Sequence, residues 1–221
     1  MTGRLVVLTG TGTGIGKTHL GEALLLGWRR AGRRALGLKP IESGVAPGVT
    51  TDAQRLSSAS GFHVKPFGVA LARPVSPHLA ARLEGVTLDL ETLLAGVAAA
   101  RLSADVVLVE LPGGLFTPLA PDFLGADLAA RMGPDILLLA APDRLGVLHD
   151  VIAATRAAAS LPARIDGVVL IAPDVPDAST GTNAEELAAY VSVPILASVP
   201  RGSPADLAGH PALALLLSRL K

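Results

Sequence analysis

Apolar and polar positions fall in alternating blocks along this chain, short unbroken apolar runs followed by longer stretches whose apolar residues recur every three or four positions. Leu5–Thr9, Ala35–Lys39, Asp105–Glu110, Asp135–Ala140, Gly167–Ile171 and Pro194–Val199 are runs of strand length without period-two alternation, as expected of strands covered on both faces. Helical spacing predicts helices over Lys17–Arg30, with Leu20, Ala23, Leu24 and Trp28 on one stripe, and over Asp52–Ser58, Leu124–Met132, Val147–Ser160, Asn183–Tyr190 and Ala205–Leu220. Strand and helix in turn predict a mostly parallel sheet with helices on both faces, because right-handed crossovers place them there. No internal repeat or long linker divides residues 1–221, so a single α/β domain is expected. The stretch Gly44–Leu90 is the least patterned, offering the Asp52 helix and a Pro-punctuated segment, Arg73-Pro-Val-Ser-Pro-His78.

Composition narrows this picture. Half of the residues are hydrophobic but only 3% are aromatic, so the core is aliphatic, and 24 glycines and 17 prolines imply many tight connections. Nineteen basic residues balance nineteen acidic ones, leaving no field to attract nucleic acid or an anionic membrane. The absence of cysteine excludes disulfides and thiolate metal sites. The first apolar run, about five residues, is far too short for a signal sequence or a membrane span, and a cytoplasmic location is expected.

In open α/β sheets ligands sit beyond the carboxyl ends of the strands, and the chemically suggestive segments follow the apolar runs. The first is Leu8-Thr-Gly-Thr-Gly-Thr-Gly-Ile-Gly-Lys-Thr-His19, which ends like a phosphate-binding P-loop but has Thr11 where the pattern G-x-x-x-x-G-K-[ST] wants glycine. Its glycines at 10, 12, 14 and 16 allow backbone N–H groups to turn toward phosphate oxygens at a helix start. Lys17 would meet the β- and γ-phosphates and the Thr18 hydroxyl would meet Mg2+; the alternative is a glycine-rich turn whose lysine caps the helix. Glu110 ends a central run at a Walker-B-like place, or is a solvated strand-end carboxylate. Asp52 is open between a metal ligand and a helix-start carboxylate favoured by the dipole. Lys39, in Leu38-Lys-Pro-Ile-Glu-Ser-Gly44, is open between a lysine aimed at the phosphates and a surface lysine. The histidines at 19, 63, 78, 149 and 210 show no metal spacing.

Taken together, GTGTGIGKT, LKPIESG, TTDAQRL, SPHLAA and VELPGGLFTPL, in this order, resemble the dethiobiotin synthetase family, the ATP-dependent carboxylases of biotin synthesis. That family places five residues between the first P-loop glycine and GKT, as Gly10 to Gly16 do here. The resemblance implies a P-loop NTPase-like fold and a homodimer acting on 7,8-diaminopelargonate, CO2 and MgATP, through a carbamate and a carbamic-phosphoric anhydride that closes to a cyclic urea. It implies Lys39 and Lys17 as catalytic residues and Thr18, Asp52 and Glu110 as the metal-binding set. Gly14, Ile15, Gly16, Lys17, Thr18, His19, Asp52, Glu110, Leu111, Pro112, Gly113, Asp174, Pro200, Arg201 and Gly202 would bind the nucleotide. Thr13, Ser43 and Pro77 would bind the substrate, together with Leu145, Gly146, Val147 and Leu148, which in the family reach it from the partner subunit.

The chain departs from the family at four places. Gly14 stands where many members have an acidic residue; E-L-P-G-G replaces E-G-A-G-G; Pro173-Asp174 replaces the Asn-Asp pair that reads adenine; and His149-Asp150 replaces Asn-His. Proline has no side-chain amide, so other nucleoside triphosphates enter as co-substrates. Two alternatives follow from the residues. One is a related P-loop synthetase for another substrate, which Asp150 and Leu111-Pro112 would suit. The other is a non-catalytic, partner-binding ATPase, against which stand the intact Leu38–Gly44 segment and Gly12 in place of that group's signature lysine.

Overall fold

The computed structural model describes residues 2–65, 67–162 and 164–218. The chain runs β1 (Arg4–Gly10), α1 (Lys17–Arg30), β2 (Ala35–Leu38), β3 (Ile41–Ser43), α2 (Asp52–Ser60), β4 (Val69–Leu71), α3 (Pro77–Glu84) and α4 (Leu90–Arg101). It continues β5 (Val106–Glu110), β6 (Pro118–Ala120), β7 (Phe123–Leu124), α5 (Gly125–Met132), β8 (Ile136–Pro142) and α6 (Val147–Ala158). The last elements are β9 (Gly167–Ile171), α7 (Asn183–Ala188), β10 (Ile195–Val199), α8 (Pro204–Leu207) and α9 (Pro211–Ser218).

Six strands form one parallel sheet in the order β10-β9-β8-β1-β5-β2. Alternate residues of β1 feed two separate cores. Leu5 and Val7 pack with α4, α5 and α6 on one face, whereas Val6 and Leu8 pack with α1, α2 and α9 on the other. Burial on both faces explains why these strands read as continuous apolar runs. Register is pinned by aspartates just ahead of three strands. Asp105, Asp135 and Asp166 accept backbone N–H bonds from Arg34, Leu5 and Leu137 at 2.8, 2.7 and 2.7 Å, each from a neighbouring strand or the residue entering it. The same aspartates therefore lie outside β5 and β8, into which the apolar pattern had extended them.

The strand order places β1 at the centre, and the chain passes from β5 on one side of it to β8 on the other. This reversal opens a crevice at the carboxyl end of β1, where the glycine-rich loop lies. Two other departures from the expected elements have local causes. Helix α4 is apolar on most sides, with Leu93, Val97 and Ala100 buried and Leu90 and Leu94 packed partly against the core, so it shows little amphipathic pattern. The expected helix Ala205–Leu220 is broken into α8 and α9 where Gly209-His210-Pro211 interrupts it, proline lacking the N–H that would continue the first helix; Leu220 lies outside the described residues. Two small ladders, β3 with β4 and β6 with β7, are built from strands of two or three residues, too short to leave a period in the sequence.

Candidate active site

Gly16, with φ +91°, turns the loop into α1 in a left-handed conformation suited to glycine, and Gly14 (φ +68°) does the same two residues earlier. Lys17 and Thr18 then open the helix and are both buried. The Lys17 ammonium donates to the Gly12 carbonyl at 2.6 Å, lying across its own loop, where phosphate oxygens would replace that acceptor. Burial lowers Lys17 to about 8, Glu110 opposing and Lys39 adding to the shift.

Four side chains from four segments converge beside it. Lys39, just past β2, donates to Asp52 at 2.5 Å and to Glu110 at 2.8 Å, and the Thr18 hydroxyl donates to the same Glu110 oxygen at 3.1 Å. Burial works to lower Lys39, but the two carboxylates outweigh it and hold the ammonium above the usual lysine range. Burial likewise works to raise Asp52, and the Lys39 contact prevails and lowers it. Glu110, only 1% exposed, is pushed up by burial against the pull of Lys39. An ammonium and a hydroxyl both donate to its Oε1, which is the arrangement of an ion pair. Its other oxygen, Oε2, is buried without a partner. That orphaned acceptor, beside a hydroxyl and a half-buried carboxylate, fits a hard cation. Among the described residues no group of three or more His, Cys, Asp or Glu could hold a metal alone, and Mg2+ suits such a sparse set because it takes phosphate oxygens and waters for the rest.

Three cavities meet at the P-loop. A small one, of about 200 Å³, holds Lys17, Thr18, Lys39, Asp52, Glu110 and Gly113. A second, of about 460 Å³, runs from Gly14–Gly16 and His19 to Asp174 and Pro200–Gly202, with Ile171 and Pro173 on its wall. There His19 Nε2 meets the Gly202 carbonyl at 2.7 Å, and Arg201 bonds Asp174 at 2.7 Å and the Pro173 carbonyl at 3.2 Å. The third and largest, about 950 Å³, is lined by Thr11, Thr13, Ser43, Pro77 and Pro112 and walled by His149, Asp150 and the alanines of α6.

These placements bring most of the expected residues together, with two exceptions. Leu111 is fully buried, and its N–H is donated to the Leu8 carbonyl at 2.9 Å, so it offers a nucleotide neither side chain nor backbone donor. Leu145, Gly146, Val147 and Leu148, at the start of α6, line none of the three cavities. The Leu145 N–H is held by Asp177 Oδ2 at 2.8 Å. Two residues of the site went unnoticed in the sequence. Arg55, one helical turn beyond Asp52, pairs with Glu22 and approaches Asp52 at 3.6 Å, lining both smaller cavities; its i,i+3 spacing from Asp52 was the available signal. Glu42 reaches the first turn of α2.

Known proteins resemble the chain in sequence and in fold. The AAA domain family model matches residues 4–206. The chain is 39% identical to the ATP-dependent dethiobiotin synthetase BioD of Rhodopirellula baltica, over 90% of this chain and 85% of that protein. It is 35% identical to the protein of the same name from Ralstonia nicotianae, over 96% of both. Among solved structures, the septum site-determining protein MinD of Pyrococcus horikoshii, complexed with Mg-ADP, superposes with a TM-score of 0.59 over 100% of this chain and 96% of that one, at 16% identity. A ParA family ATPase from Chlorobium tepidum gives 0.57 over 99% and 96%, at 12% identity. The structural likenesses establish the P-loop fold. With the family match and the sequence relatives, they establish that the chain belongs to the ATP-dependent dethiobiotin synthetase family of AAA-type P-loop domains.

Proposed function

We propose that the protein converts 7,8-diaminopelargonate and CO2 to dethiobiotin at the expense of ATP, which leaves as ADP and phosphate. The observation that carries this reading is the Lys39–Asp52–Glu110–Thr18 cluster, set between a P-loop and a cleft of about 950 Å³ large enough for a chain-like diamine. A substrate amine adds CO2 to give a carbamate; the carbamate oxygen takes the γ-phosphoryl group; the second amine then attacks the activated carbonyl, closing the urea and releasing phosphate. Carbamate and γ-phosphate are both anionic, and Lys17 and Lys39, both largely withdrawn from water, offset their repulsion where charge is weakly screened. Mg2+, held by Thr18, Asp52 and Glu110, would neutralise phosphate oxygens when bound. Ring closure draws on effective molarity, of order 10⁵ M for well-oriented groups, which Ser43 and the Pro74–Pro77 wall supply by confining the diamine.

A homodimer is part of this reading. Of residues 145–148, all outside the cavities of their own subunit, Val147 is buried in the core, but Leu145 and Gly146 are exposed and Leu148 half-buried, so these three can serve a partner's substrate. The nucleotide is less constrained than the reaction, since the wall that would face a base carries Pro173 and no amide side chain. The test is purified protein with diaminopelargonate, bicarbonate and MgATP, scored for dethiobiotin and phosphate, with CTP and GTP run in parallel. Product in amounts equal to phosphate is expected, with less than tenfold difference among nucleotides. Absence of dethiobiotin at saturating substrates would overturn the reaction, and strict use of ATP would overturn the relaxed base preference.

A further inference from the structure

We propose that Glu42 is a positioning residue that holds Asp52 in the Lys39–Glu110 cluster by gripping the backbone of α2, an inference that rests on the metal-site reading above. The Glu42 carboxylate accepts the Asp52 N–H on Oε1 at 2.8 Å and the Ala53 N–H on Oε2 at 3.2 Å. These are the first two residues of α2, whose amides have no intrahelical acceptor. The next exposed donor is covered separately, because Thr51 Oγ1 accepts the Gln54 N–H at 3.1 Å and the Gln54 side chain returns the bond to Thr51 N–H at 2.9 Å. Thr51 alone therefore caps the helix, and Glu42 adds a second grip directed at Asp52 itself.

The location of Asp52 makes that grip consequential. Asp52 is the first residue of its helix, the position lost first when a helix end frays, and its side chain is the one that reaches Lys39. Lys39 and Glu42 stand three residues apart on one short segment, so Leu38–Gly44 holds Asp52 twice, through the ammonium on its carboxylate and through the carboxylate on its amide. Loss of Glu42 frees the Asp52 and Ala53 amides and leaves the helix start behind the carboxylate–ammonium contact held by the Thr51–Gln54 box alone. A helix N-terminus also favours an anion there, so the grip is charge-assisted.

The measurement is calorimetric binding of ATP to the full chain, with Mg2+ and with EDTA, for wild type, Glu42→Ala and Glu42→Gln, alongside amide exchange of residues 52 and 53. Outer-sphere partners of metal ligands carry about tenfold in metal affinity, so Glu42→Ala should lose about tenfold of the magnesium-dependent gain in ATP affinity. The EDTA affinity should be unchanged and exchange at 52 and 53 faster. Glu42→Gln, which keeps one acceptor oxygen, should fall between and guards against a misfolded alanine variant. A wild-type magnesium gain retained by both variants would overturn the grip alone. So would loss of affinity equally with and without magnesium, which marks general damage. A wild type with no magnesium gain would instead overturn the metal reading, and the grip with it.

Discussion

Replacing Lys39 by methionine keeps the buried stem and removes the charge that Glu110 faces. At 2.8 Å and an effective dielectric near 20, the gross attraction is about 6 kcal/mol. Desolvation of both groups consumes much of it, but removing one partner of a buried pair strands the other and costs about 3–5 kcal/mol. Glu110 is such a stranded group, being 1% exposed with one oxygen already unpartnered. It has one escape, to take up a proton. Burial raises its folded-state pKa above the unfolded value, so the folded state binds the proton more tightly and ionisation counts against folding. The K39M deficit should therefore be largest at pH 8, about 3 kcal/mol or more by urea unfolding, and shrink as pH falls through the Glu110 pKa. The double variant K39M/E110Q, with neither charge buried, should recover to within about 1 kcal/mol of wild type while dethiobiotin formation stays at least about a hundredfold down. A K39M protein as stable as wild type at pH 8, or a double variant no more stable than the single one, would refute the ion-pair account. Recovery of activity in the double variant would refute the role given to Lys39.

Two further outcomes follow from the loop. Lys17 titrates at about 8 in the free protein, so ATP affinity, measured by calorimetry with magnesium, should be flat below that pH and fall by up to tenfold per pH unit above it; a flat profile to pH 9.5 would show that Lys17 stays charged or does not meet phosphate. Gly10 and Gly12 should differ sharply as alanines. A Cβ at Gly10 would sit 2.5 Å from Ile15 Cδ1 and 3.2 Å from both the Ala140 carbonyl and Lys17 Cδ, whereas one at Gly12 meets nothing within 4 Å. Gly10→Ala should cost about 1–3 kcal/mol and raise the KM for ATP, and Gly12→Ala should stay within about 0.5 kcal/mol; equal unfolding midpoints for the two would contradict this packing.

The sheet strands were legible because those inside the sheet are buried on both faces and thus leave an unbroken apolar run, as Val106–Val109 does; the edge strand β10, with Ser198 exposed, still keeps Ile195, Leu196, Ala197 and Val199 as apolar positions. Their edges were less so. Asp105 and Asp135 look like parts of strands, yet each turns its carboxylate onto a backbone N–H of a neighbouring segment, a long-range bond that no local pattern reports. Between residues 44 and 90 the structure depends on proline turns and on β4, a three-residue strand that exists only by pairing with β3, 28 positions earlier. A three-residue strand leaves no period to read.

The site divides along the same line. Lys17 and Thr18 were readable because a P-loop is local: its glycines, its lysine and its helix start lie within one turn of chain, and their spacing states their geometry. Lys39, Asp52 and Glu110 were each ambiguous alone, since a lysine after a strand, an aspartate at a helix start and a strand-end glutamate all have ordinary surface roles. What distinguishes them is convergence, two bonds from one ammonium to carboxylates 13 and 71 residues away, and the burial that makes those bonds strong. Family resemblance recovered that convergence because it preserves the members of a cluster together. It said nothing of Glu42, which acts on backbone amides of α2 rather than on ligand, and whose role needs only a carboxylate at the right distance. Residues that support a site through the main chain leave no pattern of their own in sequence, and the hydrogen bonds of the folded chain are what identify them.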